Sequence, residues 1–406
     1  MVAFLEQRKA TMDATNRDAD AAAAPWAAIA GITLTVTVFA VAQGLCYPLL
    51  SFILERQGWT SGMIGLSAAM MPLGFILSAP VIPPLVNRFG AGTVALACAA
   101  LGAVFLALIG WTQDFWLWFP LRFLLGFVVN PLYVISETWM VAMTPASRRG
   151  RVMGAYTSLV SAGFAVGPLA LTIVGTEGWP PFVIGIAAFA GCAACLAIVL
   201  PRLPAFEGDH RGSALRRFLP LAPFLLVAVA VVAGSEQALL ALAAVYGRAY
   251  GSADGAVAAF LTAFIAGNIA LQVPLGLLAE RYGAGRMLAW CAAVVVAGCA
   301  LLPVTFATPL EWPLAFVWGA AALGIYTMAL VELGNRFSGA TLIAGNAAFA
   351  MFWGVGGIAV PPFSGGIMDV VGVQGLPLSI GLLFALLLAG YGATVLRRRT
   401  RPEPGR

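Results

Sequence analysis

Residues 83–92 read PPLVNRFGAG, and residues 276–285 read GLLAERYGAG. Glu280 of the second copy follows Asn87 of the first by 193 residues (280 minus 87), close to half of the 406-residue chain. Each copy is a short polar turn between two long apolar runs. A turn repeated at this spacing predicts a duplicated membrane protein with two similar halves.

The composition excludes an ordinary soluble protein. Hydrophobic residues make up 61% of the chain and charged residues only 10%, with a mean hydropathy of +0.94. A soluble protein of this length could not cover its surface with so few charges. The six cysteines all fall inside apolar runs, and we interpret them as small hydrophobic residues. The net charge of +5 does not indicate nucleic-acid binding, because the basic residues lie at helix ends.

The apolar runs predict an all-α membrane protein with about twelve spans of ~20 residues. The first six spans are expected at 27–53, 62–85, 92–111, 116–141, 152–174 and 180–200. The last six are expected at 219–248, 255–278, 286–307, 312–334, 341–366 and 374–396. These spans form two pseudo-symmetric six-helix bundles, over 25–200 and 219–396. A polar segment at 1–24 is predicted to be a disordered cytoplasmic tail, 201–218 a cytoplasmic linker, and 397–406 a basic cytoplasmic tail.

Arginine placement predicts the orientation. Of the 22 basic residues, 19 are expected on one side of the membrane. Of the other three, Arg56 and Arg248 lie on the opposite side and Arg122 lies inside a span. The connections on one side, together with both tails, hold Arg8, Lys9, Arg17, Arg88, Arg148, Arg149, Arg151, Arg202, Arg211, Arg216, Arg217, Arg281, Arg286, Arg336, Arg397, Arg398, Arg399, Arg401 and Arg406. Positive charge is retained in the cytoplasm, so both termini are expected there, in the plasma (inner) membrane of a bacterium.

The repeated turn resembles the loop between the second and third helices of the major facilitator superfamily, G-x-L-a-D-R-x-G-R-K. The second copy keeps Gly276, Glu280, Arg281, Gly283 and Arg286. The first copy keeps Arg88 and Gly90 but has Asn87 in place of the family acid and Pro83 in place of the leading glycine. The resemblance implies a conformational switch, with a weaker latch at the uncharged Asn87. A basic turn with no switching role is the alternative.

Two more patterns resemble signatures of this superfamily. Residues 122–126 (RFLLG) are similar to the fourth-helix R-x-x-x-G pattern. The fifth-helix antiporter signature G-x8-G-x3-G-P is matched by Gly154, Gly163, Gly167 and Pro168. Close helix packing without a coupling role remains the alternative for these small residues. The segment 133–167 is also similar to the YcaD-like branch of the superfamily, a branch that does not fix a substrate.

The fourth span carries a polar stripe. Its members are Arg122, Gly126, Asn130, Tyr133 and Glu137. Their spacings of 4, 4, 3 and 4 residues place them within about 80° of one another on a helix. A stripe that faces lipid would be costly, so it is expected to face a central cavity or another helix. Arg122 and Glu137 lie about 22 Å apart along the helix and cannot pair with each other.

Glu236 is the other ionisable candidate, near the middle of the seventh span. A carboxyl that is protonated in one state and ionised in the other can couple proton flow to transport. A hydrogen-bonded structural acid is the alternative. For Glu332, near the inner end of the tenth span, a salt bridge on the cytoplasmic side is expected. Further residues that can line a cavity are Gln43, Tyr47, Tyr156, Gln237, Asn268, Gln272, Tyr326, Asn346 and Trp353.

These features favour a secondary active transporter that works by alternating access. Proton antiport with export of a small organic solute is the first prediction, and proton-linked uptake is the second. A membrane receptor or a lipid-processing protein on the same scaffold remains open, because a fold does not dictate an activity. The sequence has no nucleophile–base arrangement, phosphate loop or metal cluster, so neither an enzyme nor a cofactor is predicted. The expected partners are the solute, protons and the lipid bilayer, and the chain is expected to be monomeric.

Overall fold

The structure, a computed structural model, describes residues 25–144, 149–204, 218–337 and 339–400. Twelve helices in these ranges are long and apolar enough to cross a membrane, which confirms the predicted all-α class. They are α1 (Trp26–Arg56), α2 (Ser61–Ser78), α3 (Ala91–Thr112), α4 (Phe115–Met143), α5 (Arg149–Val174), α6 (Pro180–Val199), α7 (Pro223–Ala249), α8 (Asp254–Tyr282), α9 (Ala284–Thr305), α10 (Glu311–Arg336), α11 (Gly339–Val371) and α12 (Gly375–Thr400). The predicted tail at 1–24, residues 205–217 of the linker and residues 401–406 lie outside the described ranges.

The second span differs from its prediction. A single helix was expected over 62–85, but α2 ends at Ser78 and a separate short helix, Ile82–Phe89, follows. Pro83 and Pro84 lie in the first turn of this short helix. Proline has no N–H to donate and collides with the carbonyl four residues earlier, so it is accepted in a first turn and not in a helix interior. The proline pair therefore separates the two helices.

The repeated turn has the same conformation in both halves. Gly90 ends the short helix with φ of 79°, and Gly283 ends α8 with φ of 88°. Each glycine donates its N–H to the carbonyl four residues back at 2.8 Å, and the next spanning helix starts at the following residue. A side chain disfavours such positive φ values, which explains the glycine in both copies.

The helices pack in the same order in the two halves. In the first half, α1 packs against α5 and α6, while α4 packs against α2 and α3. In the second half, α7 packs against α11, and α10 packs against α8 and α9. The α1–α5 and α2–α4 contacts of the first half correspond to the α7–α11 and α8–α10 contacts of the second half, in which each helix number is higher by six. The two bundles are therefore structural repeats of one another.

The two largest contacts between the bundles, here called the seams, are also equivalent. One is formed by α2 and α11, and the other by α5 and α8. At the first seam the backbone N–H of Gly62 donates to Asp369 Oδ2 at 2.9 Å. At the second, Thr176 just after α5 donates to Asp254 at the start of α8. Residue 369 lies 193 positions after residue 176, the offset that also relates the repeated turns.

Candidate functional site

The polar stripe stands on one continuous helix. The side chain of Asp114 accepts the N–H of Leu117 at 2.9 Å and caps the start of α4. The helix then runs to Met143 through Pro120 and Pro131 without a break. The stripe residues therefore follow a single line from one end of the protein towards the other.

Arg122, near the N-terminal end of α4, is buried and lines a small cavity. Only 4% of the residue is exposed, and its guanidinium carbon lies 5.8 Å from the centre of the Trp118 ring. The cavity has room for about one water. Its other lining residues are Cys46, Tyr47, Leu50, Ala68, Met71 and Leu125. Arg122 Nε has no hydrogen-bond acceptor, and no carboxylate of the described residues lies within ion-pair distance of the guanidinium.

Asn130 connects two helices. Its amide nitrogen donates to the carbonyl of Phe75 at 3.0 Å and to the hydroxyl of Ser78 at 2.9 Å. Both acceptors lie in the last turn of α2, where carbonyl groups lack a backbone N–H partner inside the helix. Asn130 thus holds the end of α2 against α4.

Tyr133 and Glu137 continue the stripe. The Tyr133 ring lies edge-on to Phe39 of α1, with ring centres 4.9 Å apart. The Glu137 side chain is exposed, and it lies within electrostatic range of Tyr156 on α5 and Tyr326 on α10. Because Tyr326 belongs to the second half, Glu137 lies near the interface between the bundles.

Glu236 faces the same space from the second half. It is half-buried on α7, within electrostatic range of Tyr47 on α1 and Tyr133 on α4. Tyr133 also lies within range of Glu137, so this tyrosine is a neighbour of both acids. Tyr47 lies within range of both Arg122 and Glu236. Arg122, Tyr47, Glu236, Tyr133 and Glu137 are thus linked as successive electrostatic neighbours, and we call these five residues the polar path.

Two buried amides flank this path. Gln43 on α1 is 3% exposed and its nitrogen has no partner, while Gln237 on α7 is 6% exposed and its oxygen has none. The Gln237 amide packs against Gly357 of α11, where a larger residue would collide with it. Gln43 and Glu236 are 193 residues apart, so an amide and an acid occupy equivalent positions in the two halves.

The second half contributes a further polar pair. Gln272 on α8 donates to the hydroxyl of Thr327 on α10, and its own oxygen has no partner. One turn earlier, Asn268 is half-buried and its oxygen is also without a partner. Hydrogen-bond acceptors left open in this way are costly unless water or a ligand satisfies them.

The aromatic candidates lie nearer to the other end of the path. Tyr326 and Trp353 of α11 make an edge-on contact with ring centres 5.1 Å apart. Asn346, two turns before Trp353 on α11, is exposed. The expected salt bridge of Glu332 is confirmed, because Arg336 Nε donates to its carboxylate at 2.7 Å.

The residues of the repeated turn are mostly on the surface. Arg88 lies 5.2 Å from the centre of the Phe89 ring, and Arg281 lies 5.3 Å from that of Tyr282. Asn87 and Arg286 are exposed, and a methyl group added at Gly276 would contact no atom of the described residues. The Glu280 side chain lies outside the described part of the protein. The two turns thus present an arginine over an aromatic ring in the same way.

The fifth-helix glycines allow α5 to approach α1 closely. A Cβ at Gly163 would overlap the carbonyl of Thr37, and one at Gly167 would overlap the backbone of Gly44. Pro168 follows directly inside α5. Such contact requires glycine, so the pattern has a packing reason as well as its predicted coupling role.

A cluster of charges closes one end of the path, and the sequence analysis did not find it. Arg56 Nη1 lies 2.6 Å from Asp254 Oδ2, and Arg56 Nη2 donates to the Thr176 carbonyl at 2.7 Å. Beside this contact Arg248 pairs with Glu55. We call these five residues the clamp. The signal available in the sequence was that the ends of α1 and α7 and the start of α8 carry complementary charges.

The fold and the polar path define the class of protein, and known proteins agree with it. A family model described as the Major Facilitator Superfamily matches residues 32–251 and 225–406. The chain therefore belongs to this superfamily, and it is a membrane transporter and not an enzyme.

Similar chains are themselves named as uncharacterized MFS-type transporters. YfkF of Bacillus subtilis (strain 168), an uncharacterized MFS-type transporter, is 27% identical over 354 residues, 83% of this chain and 88% of that one. YcaD of Shigella flexneri serotype 5b (strain 8401), also an uncharacterized MFS-type transporter, is 22% identical over 324 residues, 78% of this chain and 82% of that one. The predicted resemblance to the superfamily is thus confirmed.

Solved structures share the fold. The nucleoside transporter NupG superimposes with a TM-score of 0.76 at 12% identity, covering 91% of this chain and 99% of that one. A bacterial homologue of the human lysosomal transporter Spinster, in an inward-facing and unoccupied conformation, gives a TM-score of 0.70 at 16% identity. It covers 93% of this chain and 98% of that one. At these identities the likeness shows the fold and carries no substrate assignment.

Proposed function

We propose that the protein is a secondary active transporter that moves a small organic solute by alternating access. The observation that supports this proposal is the polar path between the bundles. The clamp closes it at one end, while Glu137 further along it is exposed. Rocking of the bundles about the two seams would open the clamped end and close the other, so that the solute reaches each side in turn.

Proton coupling is proposed from the two acids on the path. Glu236 and Glu137 are carboxyl groups inside spanning helices, where a charge costs about 2.5–3.5 kcal/mol at the bilayer centre on insertion scales. Such a cost is tolerated where the group exchanges a proton or binds a ligand. Tyr133, within electrostatic range of both acids, supports a shared role for them.

For the direction we propose export by antiport, with uptake by symport as the alternative. The fifth-helix antiporter signature supports export. Two of its glycines, Gly163 and Gly167, allow α5 to contact α1 beside the path. Because α7 packs on α1 and α1 packs on α5, a movement at Glu236 on α7 can be transmitted through α1 to α5. No residue on the path favours uptake specifically.

The topology is proposed on the arginine distribution. Both termini and the linker lie in the cytoplasm, and the protein resides in the inner membrane as a monomer of two bundles, over 25–200 and 219–396. With this orientation the clamp lies on the outer face. The conformation described is then open towards the cytoplasm.

The test is a transport assay in reconstituted vesicles with a compound panel and an imposed pH gradient. Accumulation that depends on the gradient identifies proton coupling, and its dependence on the sign of the gradient separates antiport from symport. Transport that is unaffected by a pH gradient of either sign, with solute exchange intact, would refute proton coupling while leaving the transporter assignment in place.

A further inference from the structure

We propose that Arg122 binds the anionic group of the transported solute, and that this group is a single carboxylate-type charge. The proposal rests on the proposed transport function and adds the substrate class. It starts from the guanidinium and the small cavity into which this group points, between α1, α2 and α4.

The charge of Arg122 lacks a counter-charge in the described structure. Arginine stays protonated in proteins, and an isolated buried charge is costly unless it is paired. Arginines in more accessible positions are paired. The half-buried Arg56 and the more exposed Arg248 and Arg336 each lie against a carboxylate. Arg122 has the Trp118 ring on one side, Cys46 and Tyr47 as polar neighbours and an open Nε donor. An arginine with only a structural role would be expected to have a counter-charge and an acceptor for its Nε.

The shape of the cavity sets the size of the group. Leu50, Met71 and Leu125 give it apolar walls, and the free space holds about one water. A planar guanidinium binds a carboxylate through two parallel hydrogen bonds, which suits a compact, flat anion. The remainder of the solute would extend from this cavity past Tyr47, which also lines it.

The electrostatics beyond Tyr47 limit the number of charges. Glu236 is a neighbour of the same tyrosine, since Tyr47 lies within electrostatic range of both Arg122 and Glu236. A second negative charge on the solute would meet the carboxylate of Glu236 in a region of low dielectric constant, where like charges repel strongly. A monoanion fits this arrangement and a polyanion does not.

The experiment measures thermal unfolding of the purified full-length protein in detergent, in a low-salt zwitterionic buffer. The probes are benzoate, its neutral counterpart benzamide, the cation benzylamine, and chloride. A ligand that binds only the folded state raises the Tm in proportion to the logarithm of its concentration above Kd. We expect a dose-dependent rise with benzoate and none with benzamide or benzylamine. No rise with benzoate, or an equal rise with benzamide, would overturn the proposal.

Substitutions assign the effect to the residue. Arg122→Gln is expected to weaken benzoate binding by about tenfold to a hundredfold, since hydrogen bonds between ionised groups are lost. Arg122→Lys keeps the charge without the planar fork and is expected to retain part of the response. The matched control Arg336→Gln, in an ion pair at the far end of α10, is expected to respond to benzoate as the wild type does. A full response in Arg122→Gln would remove Arg122 from the site.

Two further outcomes decide between a solute site and other roles. Chloride that saturates the response and leaves benzoate without effect would make this an inorganic-anion site and overturn the solute assignment. Without any anion, Arg122→Gln is expected to melt at a higher temperature than the wild type, because it removes an unpaired buried charge. A lower Tm would show that Arg122 is structural. None of these readouts uses a pH gradient, so they stay separate from the test of proton coupling.

Discussion

Glu55 and Arg248 form an ion pair with each other, and they occupy equivalent positions at the ends of α1 and α7, 193 residues apart. The pair therefore lies where the twofold relation between the bundles brings the same position of each half together. Because one half has an acid and the other half has a base at this position, the two residues attract each other. Asp254 stands next to it, with Arg248 Nη2 3.9 Å away.

Reversing one charge of this pair is expected to open the clamped end. Arg248→Glu places like charges together, and Arg248 is half-exposed, so the effect is about 1 kcal/mol, a factor of about five in the population of the closed state. The measurement is alkylation of the native Cys46, in the Arg122 cavity, by a membrane-impermeant maleimide applied from the clamped side of vesicles. The expected result is faster labelling.

The double variant Glu55→Arg with Arg248→Glu is the control for this prediction. It restores opposite charges, although the new acid faces Asp254, so we expect labelling to return partly towards the wild-type rate. Equal labelling of the wild type and the single variant would show that the pair does not hold this end shut. Peptide-level mass spectrometry separates Cys46 from the other five cysteines.

The α2–α11 seam is expected to be intolerant of a single methyl group. A Cβ at Gly365 would overlap the backbone of Ser61, so Gly365→Ala should disfavour the clamped state by about 1–3 kcal/mol through overpacking. Gly366, the next residue on the helix, has open space at its Cβ position. Gly366→Ala is therefore the matched control. Solute exchange in vesicles should fall in the first variant only, and equal rates in both would contradict the prediction.

Glu236→Gln is expected to abolish proton-driven accumulation and to leave solute exchange. The amide keeps the shape of the side chain but cannot release a proton. Glu332→Gln, which removes an acid held by Arg336 at the other end of the path, serves as the control and should keep driven transport. Both activities are measured in the same vesicles, with and without a pH gradient. Driven accumulation that persists in Glu236→Gln would remove this residue from the coupling step.

Tyr133→Phe is expected to reduce driven accumulation about tenfold while solute exchange changes less. The hydroxyl lies within electrostatic range of both Glu137 and Glu236, and its loss removes a polar group that neighbours the two acids. The ring contact with Phe39 is kept in the variant, so packing is preserved. If exchange and driven accumulation fall by the same factor, the hydroxyl acts on the solute or on folding and not on coupling.

The sequence predicted much of the fold because its signals are local. Twelve apolar runs, a duplicated turn and glycines at fixed spacings depend on neighbouring residues alone. The same local reasoning failed at Pro83 and Pro84, where apolar character continued past Ser78 although the helix did not. Hydropathy reports burial in lipid, whereas the helix break comes from a missing N–H.

The candidate site was predicted less completely. The periodicity of α4 predicted Arg122, Tyr133 and Glu137 on one line, and the three residues stand on one continuous helix. The clamp was missed because Glu55 and Arg248 come together only when two bundles meet, and no spacing within one helix reports that contact. The isolation of Arg122 was also unreadable, since it depends on which acids of other helices approach it.

The offset that pairs Gln43 with Glu236 has a consequence for the history of the chain. A hypothetical protein made of two copies of the first half would keep the glycine-closed turn and the α1–α5 packing, yet it would carry a neutral amide at both positions. Duplication thus supplied the scaffold twice, while the titratable group survives, or arose, in one copy only. The two halves share one architecture, but they differ in the titratable group that each carries at this position.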